Sequence, residues 1–469
     1  MKIALDAMGG DLAPKAVIEG AVMAARDFKI EVVLVGNREV IARELADHHT
    51  AGLAISVEHA AEAVEMDESP LESVLGKPES SIHVGLEMVK RGVADAFVSA
   101  GNSGAMMAAA MAILGNLPGV DRPAIASMVP TTGGVALLID AGANTEVKPI
   151  NLMQFAVMGS VYWKHVQGVA LPRVGLLSNG EEASKGTDLT RAAAAALQEM
   201  APHVNYIGYL EGRDINRAKA DVVVTDGFTG NVVLKTMEGF AAFLLGNLRE
   251  VFGSGWLRRV AFLLVRKKLY GIRERLDPSE YGGAPLLGVN GVVVIAHGSS
   301  NARAIRNAVR AAANEALVRH VNSEVVEILA QSPATLSARP SGKGIRGLFS
   351  RVRGRLHLGR EVSPERKPDR GKAESAREVR PLANGPVAHP SEAEQRPAKP
   401  DGTQRGRADD DPRAAHGDSQ ISDGPHSANG VASADGANRG IAAEGADFSR
   451  DEDRGDVAKD AGPAKHEPS

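Results

Sequence analysis

Five short polar stretches carry the residue types from which an anion site can be built. The stretch "AGNSGA", Ala100 to Ala105, follows the apolar run "ADAFVS" and precedes the small-residue run "MMAAAMAIL". Gly101 and Gly104 permit close backbone approach there, and Asn102 and Ser103 add side-chain donors. When such a turn joins a strand to a helix, the first helical turn offers unpaired N–H groups and a partial positive charge to an anion, which suits phosphate. Tight packing alone can also account for small residues at such a turn. Four further loops share the pattern: "DAMGGD" (Asp6 to Asp11), "SNGEEASKGT" (Ser178 to Thr187), "DGFTGN" (Asp226 to Asn231) and "HGSSN" (His297 to Asn301). Together they predict one large anionic ligand, or two, in a shared cleft.

Within these loops Gly101, Asn102, Ser103, Gly104, Gly227 and Gly230 are the candidate phosphate-binding residues, with Asn231 beside them as a candidate catalytic donor. Lys185 is the Lys or Arg that the loops themselves contain, and so the candidate catalytic cation; a solvated lysine at a helix start is the alternative. His297 can protonate a leaving group, or simply bond a neighbouring carbonyl. Asp6, Asp11 and Asp226 either orient these donors or cap helices. No loop reads G-x-G-x-x-G or G-x-x-x-x-G-K-[ST], so both a dinucleotide fingerprint and a Walker A loop are missing. No His or carboxylate cluster has metal-ligand spacing, so neither a metal nor another cofactor is expected. The chain contains no cysteine, which excludes a disulfide framework and a thiolate nucleophile.

The loops sit at the ends of short runs rich in Val, Ile and Leu. These are "IALDA", "EVVLVGN", "AISVEHA", "ADAFVSAGN", "ALLIDAG", "RVGLLSNG", "NYIGYLEG", "DVVVTDGF" and "GVVVIAHG". Apolar runs without clean alternation read as buried parallel strands. Helical patterns lie between them, as in "PKAVIEGAVMAARDF", where Val17, Ile18, Ala21, Val22 and Ala25 share a face and Pro14 marks the start. The alternation predicts an α/β fold: an open, mostly parallel sheet with helices on both faces.

Of the 469 residues 43% are hydrophobic, but after Pro333 only two aromatic residues remain, Phe349 and Phe448. Such a composition cannot offset chain entropy of roughly 1 to 2 kcal/mol per residue. The expected organisation is therefore a catalytic domain over 1–333 and a disordered tail over 334–469. Net charge is only −4, so no nucleic-acid partner is implied. The start "MKIALDAMGG" lacks signal-peptide features and no run approaches the length of a spanning helix, which predicts a cytoplasmic protein.

Two basic segments stand apart. Residues 256–275, "WLRRVAFLLVRKKLYGIRER", carry seven Arg or Lys around an apolar centre. They read either as a protruding helical pair packed in a dimer or as a contact for an anionic surface. In "GIRGLFSRVRGRLHL", Ile345, Leu348, Phe349, Val352 and Leu356 share a helical stripe, and Arg346, Arg351, Arg353 and Arg355 fall mostly elsewhere. A basic amphipathic helix at 343–358 is the reading, with nucleic-acid binding or a solvated segment as competitors.

Several long motifs occur in order: "LDAMGGDLAP", "SAGNSGA", "IDAGANTEVKP", "MQFAVMGSVY", "LEGRD", "ADVVVTDGFTGNVVLKTMEG", "EYGGAPLLGVNG" and "AHGSSNARAI". Over Met1 to about Ile328 the chain resembles the phosphate acyltransferases, the acyl-[acyl-carrier-protein]:phosphate transacylases of bacterial phospholipid synthesis. The resemblance implies a fold like that of the isocitrate and isopropylmalate dehydrogenases and phosphotransacetylase. It also implies a homodimer at the inner face of the membrane, where residues 256–275 would make contact. The implied substrates are acyl carrier protein and inorganic phosphate, and a membrane-bound glycerol-3-phosphate acyltransferase would act downstream. "LLSNGEE" departs from the family, with Ser178 and Asn179 where Asn and an aliphatic residue are usual. A nicotinamide-dependent decarboxylating dehydrogenase on the same fold lacks its metal and cofactor signatures here. A catalytically silent membrane scaffold has only the basic patches in its favour. "MMAAAMAIL" can line an acyl channel or serve as plain core.

Overall fold

The structure is a computed structural model that describes residues 1–253, 262, 264–269, 271, 278–280, 282–317 and 320–332. In chain order the elements begin β1 (Lys2–Asp6), α1 (Lys15–Phe28), β2 (Glu31–Gly36), α2 (Arg38–Leu45), β3 (Ile55–His59), α3 (Pro70–Gly76), α4 (Ser81–Lys90), β4 (Ala96–Ser99) and α5 (Ser103–Ile113). There follow β5 (Ala124–Thr131), β6 (Gly134–Ile139), α6 (Pro149–Gln167), β7 (Arg173–Leu177), α7 (Asp188–Glu199), β8 (Asn205–Leu210), α8 (Gly212–Ile215), β9 (Val222–Val224) and α9 (Gly227–Gly253). The described elements end with β10 (Ala284–Leu287), β11 (Val293–Ile295), α10 (Ala302–Leu317) and α11 (His320–Ala330). The tail, the amphipathic helix expected at 343–358 and most of 256–275 lie outside the described residues. Among the described residues no helix is long and apolar enough to cross a membrane.

The strands form one sheet in the order β3-β2-β1-β4-β11-β10-β5-β6-β9-β7-β8. Alternate side chains point to opposite faces. Thus Ile3 and Leu5 of β1 join Val17, Ile18, Ile305 and Val309 of α1 and α10. Ala4, between them, faces Ile82, Leu86 and Met106 of α4 and α5. In the other half Leu137 and Ile139 pack on Phe155 and Val161 of α6, and Leu138 packs towards Ile215. The expected sheet with helices on both faces is what forms, and all nine runs read as strands are strands.

Two strands were not among those runs, and they set the geometry of the site. Seven of the ten pairings are parallel, but β10 is antiparallel to β11 and β5, and β5 is antiparallel to β6. The group β3-β2-β1-β4-β11 therefore runs opposite to β6-β9-β7-β8. β11 ends at the level of Ala284, which pairs with Ile295. β10 then meets β5 through Leu286↔Ile125, and β6 ends where Ala126 pairs with Ile139. The carboxyl ends of the two groups thus meet at nearly one level, pointing towards each other. Ligands of open α/β sheets bind beyond strand carboxyl ends, and here two such edges share one space.

Candidate active site

On the first edge, the loops after β1, β4 and β11 are bonded into one unit. Ser99 Oγ donates to Asp6 Oδ2 at 2.7 Å, and Gly101 N–H donates to Ser99 Oγ at 3.0 Å. Met8 N–H donates to Asp6 Oδ1 at 3.0 Å. Burial pushes the Asp6 carboxyl above its ordinary value, against hydrogen bonds from Ser81, Ser99, Met8 and Gly9. Asp6, fully buried, accordingly orients the Gly101 turn rather than touching a ligand. Asp11 is exposed; its N–H donates to Gly298 O at 2.8 Å and ties the first loop to the third.

Asn102 caps α5, its Oδ1 accepting from Ala105 N–H at 3.1 Å. Its Nδ2 donates to Met66 O at 3.2 Å and Glu68 O at 2.9 Å. The Asn102 side chain is therefore engaged by the fold. The N–H groups of Ser103 and Gly104, in the first turn of α5, have no intrahelical acceptor.

On the second edge, Asp226 caps α9: Thr229 N–H and Oγ1 donate to its carboxylate at 2.9 and 2.7 Å. Gly227 and Gly230 let that helix start press onto the loop after β6. A Cβ on Gly230 would lie 1.9 Å from Asp140 O, and one on Gly227 would lie 2.7 Å from Asn144 N and O. Asn231 sits exposed against Gly142. Gly230→Ala is expected to destabilise by about 1–3 kcal/mol through overpacking against backbone. Gly239→Ala, on the same helix with open space around it, should stabilise by about 0.5–1 kcal/mol. Thermal or urea unfolding of the two variants checks the contrast.

Asp140 anchors this edge, and the sequence reading did not single it out. Its buried carboxylate accepts from Ile125, Gly142 and Ala143 N–H at 3.1, 3.2 and 3.0 Å, and from Asn144 N and Nδ2 at 2.7 and 2.9 Å. Burial raises the carboxyl and these donors oppose it. Its signal was the run D-A-G-A-N, in which an Asp closes back on the N–H groups that follow it.

The two edges are joined by a pair that sequence spacing did not reveal. Lys235, on α9, lies 2.9 Å through Nζ from His297 Nε2, in the loop after β11. Lys235 also reaches Glu238 Oε2 at 2.8 Å. His297 Nδ1 lies 2.8 Å from Ser299 Oγ and accepts from Ser299 N–H at 3.2 Å, so both ring nitrogens are engaged. Asn231 and Lys235 stand four residues apart on one helix face, the one cue the sequence offered. Lys185, by contrast, is exposed in the loop after β7, and its Nζ makes no hydrogen bond or ion pair among the described residues.

Residues 1–324 match the family model described as "Fatty acid synthesis protein". The chain is 51% identical over 327 residues to the phosphate acyltransferase of Geobacter sulfurreducens, covering 70% of this chain and 94% of that one. It belongs to the phosphate acyltransferase family. The phosphate acyltransferase of Pelotomaculum thermopropionicum is 45% identical over 342 residues, covering 73% of this chain and 98% of the relative. Among solved structures the chain is similar to a phosphotransacetylase from Streptococcus pyogenes, with 18% identity, a TM-score of 0.44, and coverage of 69% of this chain and 94% of that one. As a member of the family the protein is an acyltransferase, and the glycine-rich loops belong to the part of the chain that the family spans.

Proposed function

We propose that the protein transfers a fatty acyl group from the thioester of acyl carrier protein to inorganic phosphate, for phospholipid synthesis. A phosphate oxygen forms the new bond to the carbonyl carbon, the carbon–sulfur bond breaks, and acyl phosphate and the carrier thiolate leave. Phosphate is substantially ionised near neutrality, as a phosphate monoester with a second pKa of about 6 would be. A thiol of pKa about 8.5 departs with little acid assistance. What the protein must supply is position and charge control. Holding the two reactants in a near-attack geometry contributes roughly 7 to 11 kcal/mol in favourable cases.

The observation that carries the reading is the Lys235–His297 bond between facing strand edges. It sets a cation where phosphate and a developing oxyanion would crowd. The N–H groups of Ser103 and Gly104 hold the phosphate from the other side, Asn231 donates to the oxyanion, and Lys185 reaches in as a second cation when substrates bind. Lys235 donates a hydrogen bond to the departing sulfur as its negative charge develops, held in place by His297. The fold is of the isocitrate and isopropylmalate dehydrogenase type. The exposed stripe Phe228, Val232, Phe240, Phe243, Leu244 and Val251 along α9 supports a homodimer. The protein works in the cytoplasm at the inner membrane face, where a long-chain acyl phosphate passes to a membrane-bound glycerol-3-phosphate acyltransferase. Thioester loss from acyl carrier protein should depend on added phosphate and yield a hydroxylamine-reactive acyl product. Equal loss without phosphate, or a trapped acyl-protein adduct, overturns the reading.

A further inference from the structure

The helix that opens at the proposed phosphate site carries no charged residue, and beyond Ser103 no side chain that hydrogen-bonds. At about 100° per residue, Ala105, Met106, Ala109, Ala110 and Ile113 fall on one side and are buried in the core. Gly104, Met107, Ala108, Met111 and Ala112 fall on the other side and are only half covered. What crosses that outer side is the start of α3: a Cβ on Gly104 would lie 2.6 Å from Pro70 Cγ. The crossing is fixed by the two bonds from Asn102 Nδ2 to the carbonyls of Met66 and Glu68, and by the Lys77–Glu68 ion pair.

This crossing segment turns apolar side chains outward. Leu71 and Leu75, one helical turn apart, are 39% and 43% exposed, whereas Ser73 and Val74 are buried on the opposite side. Met66 is 43% exposed, and its Cε lies 2.8 Å from where a Cβ on Gly298 would stand. The apolar surface therefore begins beside His297 and Gly104, the residues placed around the reacting atoms, and leads away from them.

We propose that Met66, Leu71 and Leu75, with Met107 and Met111 of α5, seat the acyl chain of the substrate; this rests on the reaction assigned above. Whatever fills the strip must be continuous with the group whose carbonyl lies between Gly104 and His297, and an acyl chain meets that condition. An anionic bilayer does not fit, because the exposed Glu65, Asp67 and Glu72 flank the strip. Unbranched thioether side chains adapt to a chain of variable length and bend. Every further methylene that enters the seat leaves water and adds to binding, so a long seat would make the enzyme select by chain length.

The test uses the full chain with octanoyl and palmitoyl thioesters of acyl carrier protein as donors and saturating phosphate. The readout is the ratio of kcat/KM for palmitoyl to that for octanoyl. Met111→Trp, which blocks the far end, should lower the ratio about tenfold or more. The double variant Leu71→Asn/Leu75→Asn alters only exposed side chains, so it keeps the test decisive if the tryptophan disturbs folding; it should lower the ratio in the same direction. A ratio within about twofold of the unaltered protein in the folded variants overturns the proposal. Phosphate-dependent loss of the octanoyl thioester by the unaltered protein separates the two failures. Were that loss absent, the assigned reaction itself would fail; were it present with an unchanged ratio, only the acyl seat would.

Discussion

Replacing Lys235 by methionine is expected to lower kcat by about 10²–10³-fold, the loss typical when one preorganised donor is removed from a developing charge. Methionine keeps much of the unbranched stem and removes only the ammonium group, so packing along α9 should survive. The fold has little else invested in this side chain, since Lys235 is exposed and its pair with Glu238 is of the surface kind that contributes at most about 1 kcal/mol. The melting temperature should therefore stay close to that of the unaltered protein while turnover collapses. His297→Gln, which keeps an acceptor for the ammonium, should cost less, because in the observed geometry the imidazole positions Lys235. Steady-state kinetics with varied phosphate decide the matter: a fall confined to KM would assign Lys235 to phosphate binding alone. Unchanged kinetics would remove the cross-cleft pair from the mechanism.

The same pair shows what a sequence does and does not disclose. Runs such as "EVVLVG" and "DVVVTD" are legible as strands because strands buried on both faces cannot afford polar residues. β10 was not read, being four residues long, carrying Pro285 and following Gly282 and Gly283; β5 was not read because Ser127, Pro130 and Thr131 break its apolar run. Proline in a strand argues against an interior position, yet these two supply the antiparallel pairings that turn one group of strands against the other. Without them the glycine-rich loops could be recognised one by one but not set facing each other. Lys235 was missed for the same reason: its neighbour His297 lies 62 positions away, brought close only by strand order. Gly227 and Gly230 were readable as close-approach residues, but whether they approached a ligand or a backbone depended on where the loop after β6 would lie. Their neighbours turn out to be Asp140 and Asn144.

Glu315→Gln is expected to stabilise the protein at alkaline pH and to flatten its dependence on pH. Glu315 lies on α10 with its side chain buried, and burial alone pushes its carboxyl up to about 8. Tyr162, on α6, has its hydroxyl pushed up by its own burial and by Glu315, and among the described residues no cation offsets the Glu315 carboxylate. The folded-state value lies above the ordinary value of 4.5 that the unfolded chain would show. Between those two values the folded state holds a proton that the unfolded state has lost. Stability then falls as pH rises through that window, is highest below it, and levels off above about pH 8. Each unit by which the two values differ contributes about 1.4 kcal/mol, so the loss across the window amounts to several kcal/mol at most. Glutamine has nearly the same shape as the protonated acid and cannot ionise. Urea unfolding at pH 5 should therefore separate the two proteins little, and at pH 9 the Gln variant should be the more stable by several kcal/mol. A constant difference at both values would mean that Glu315 does not change its charge on folding, and would return it to the ordinary carboxylate range.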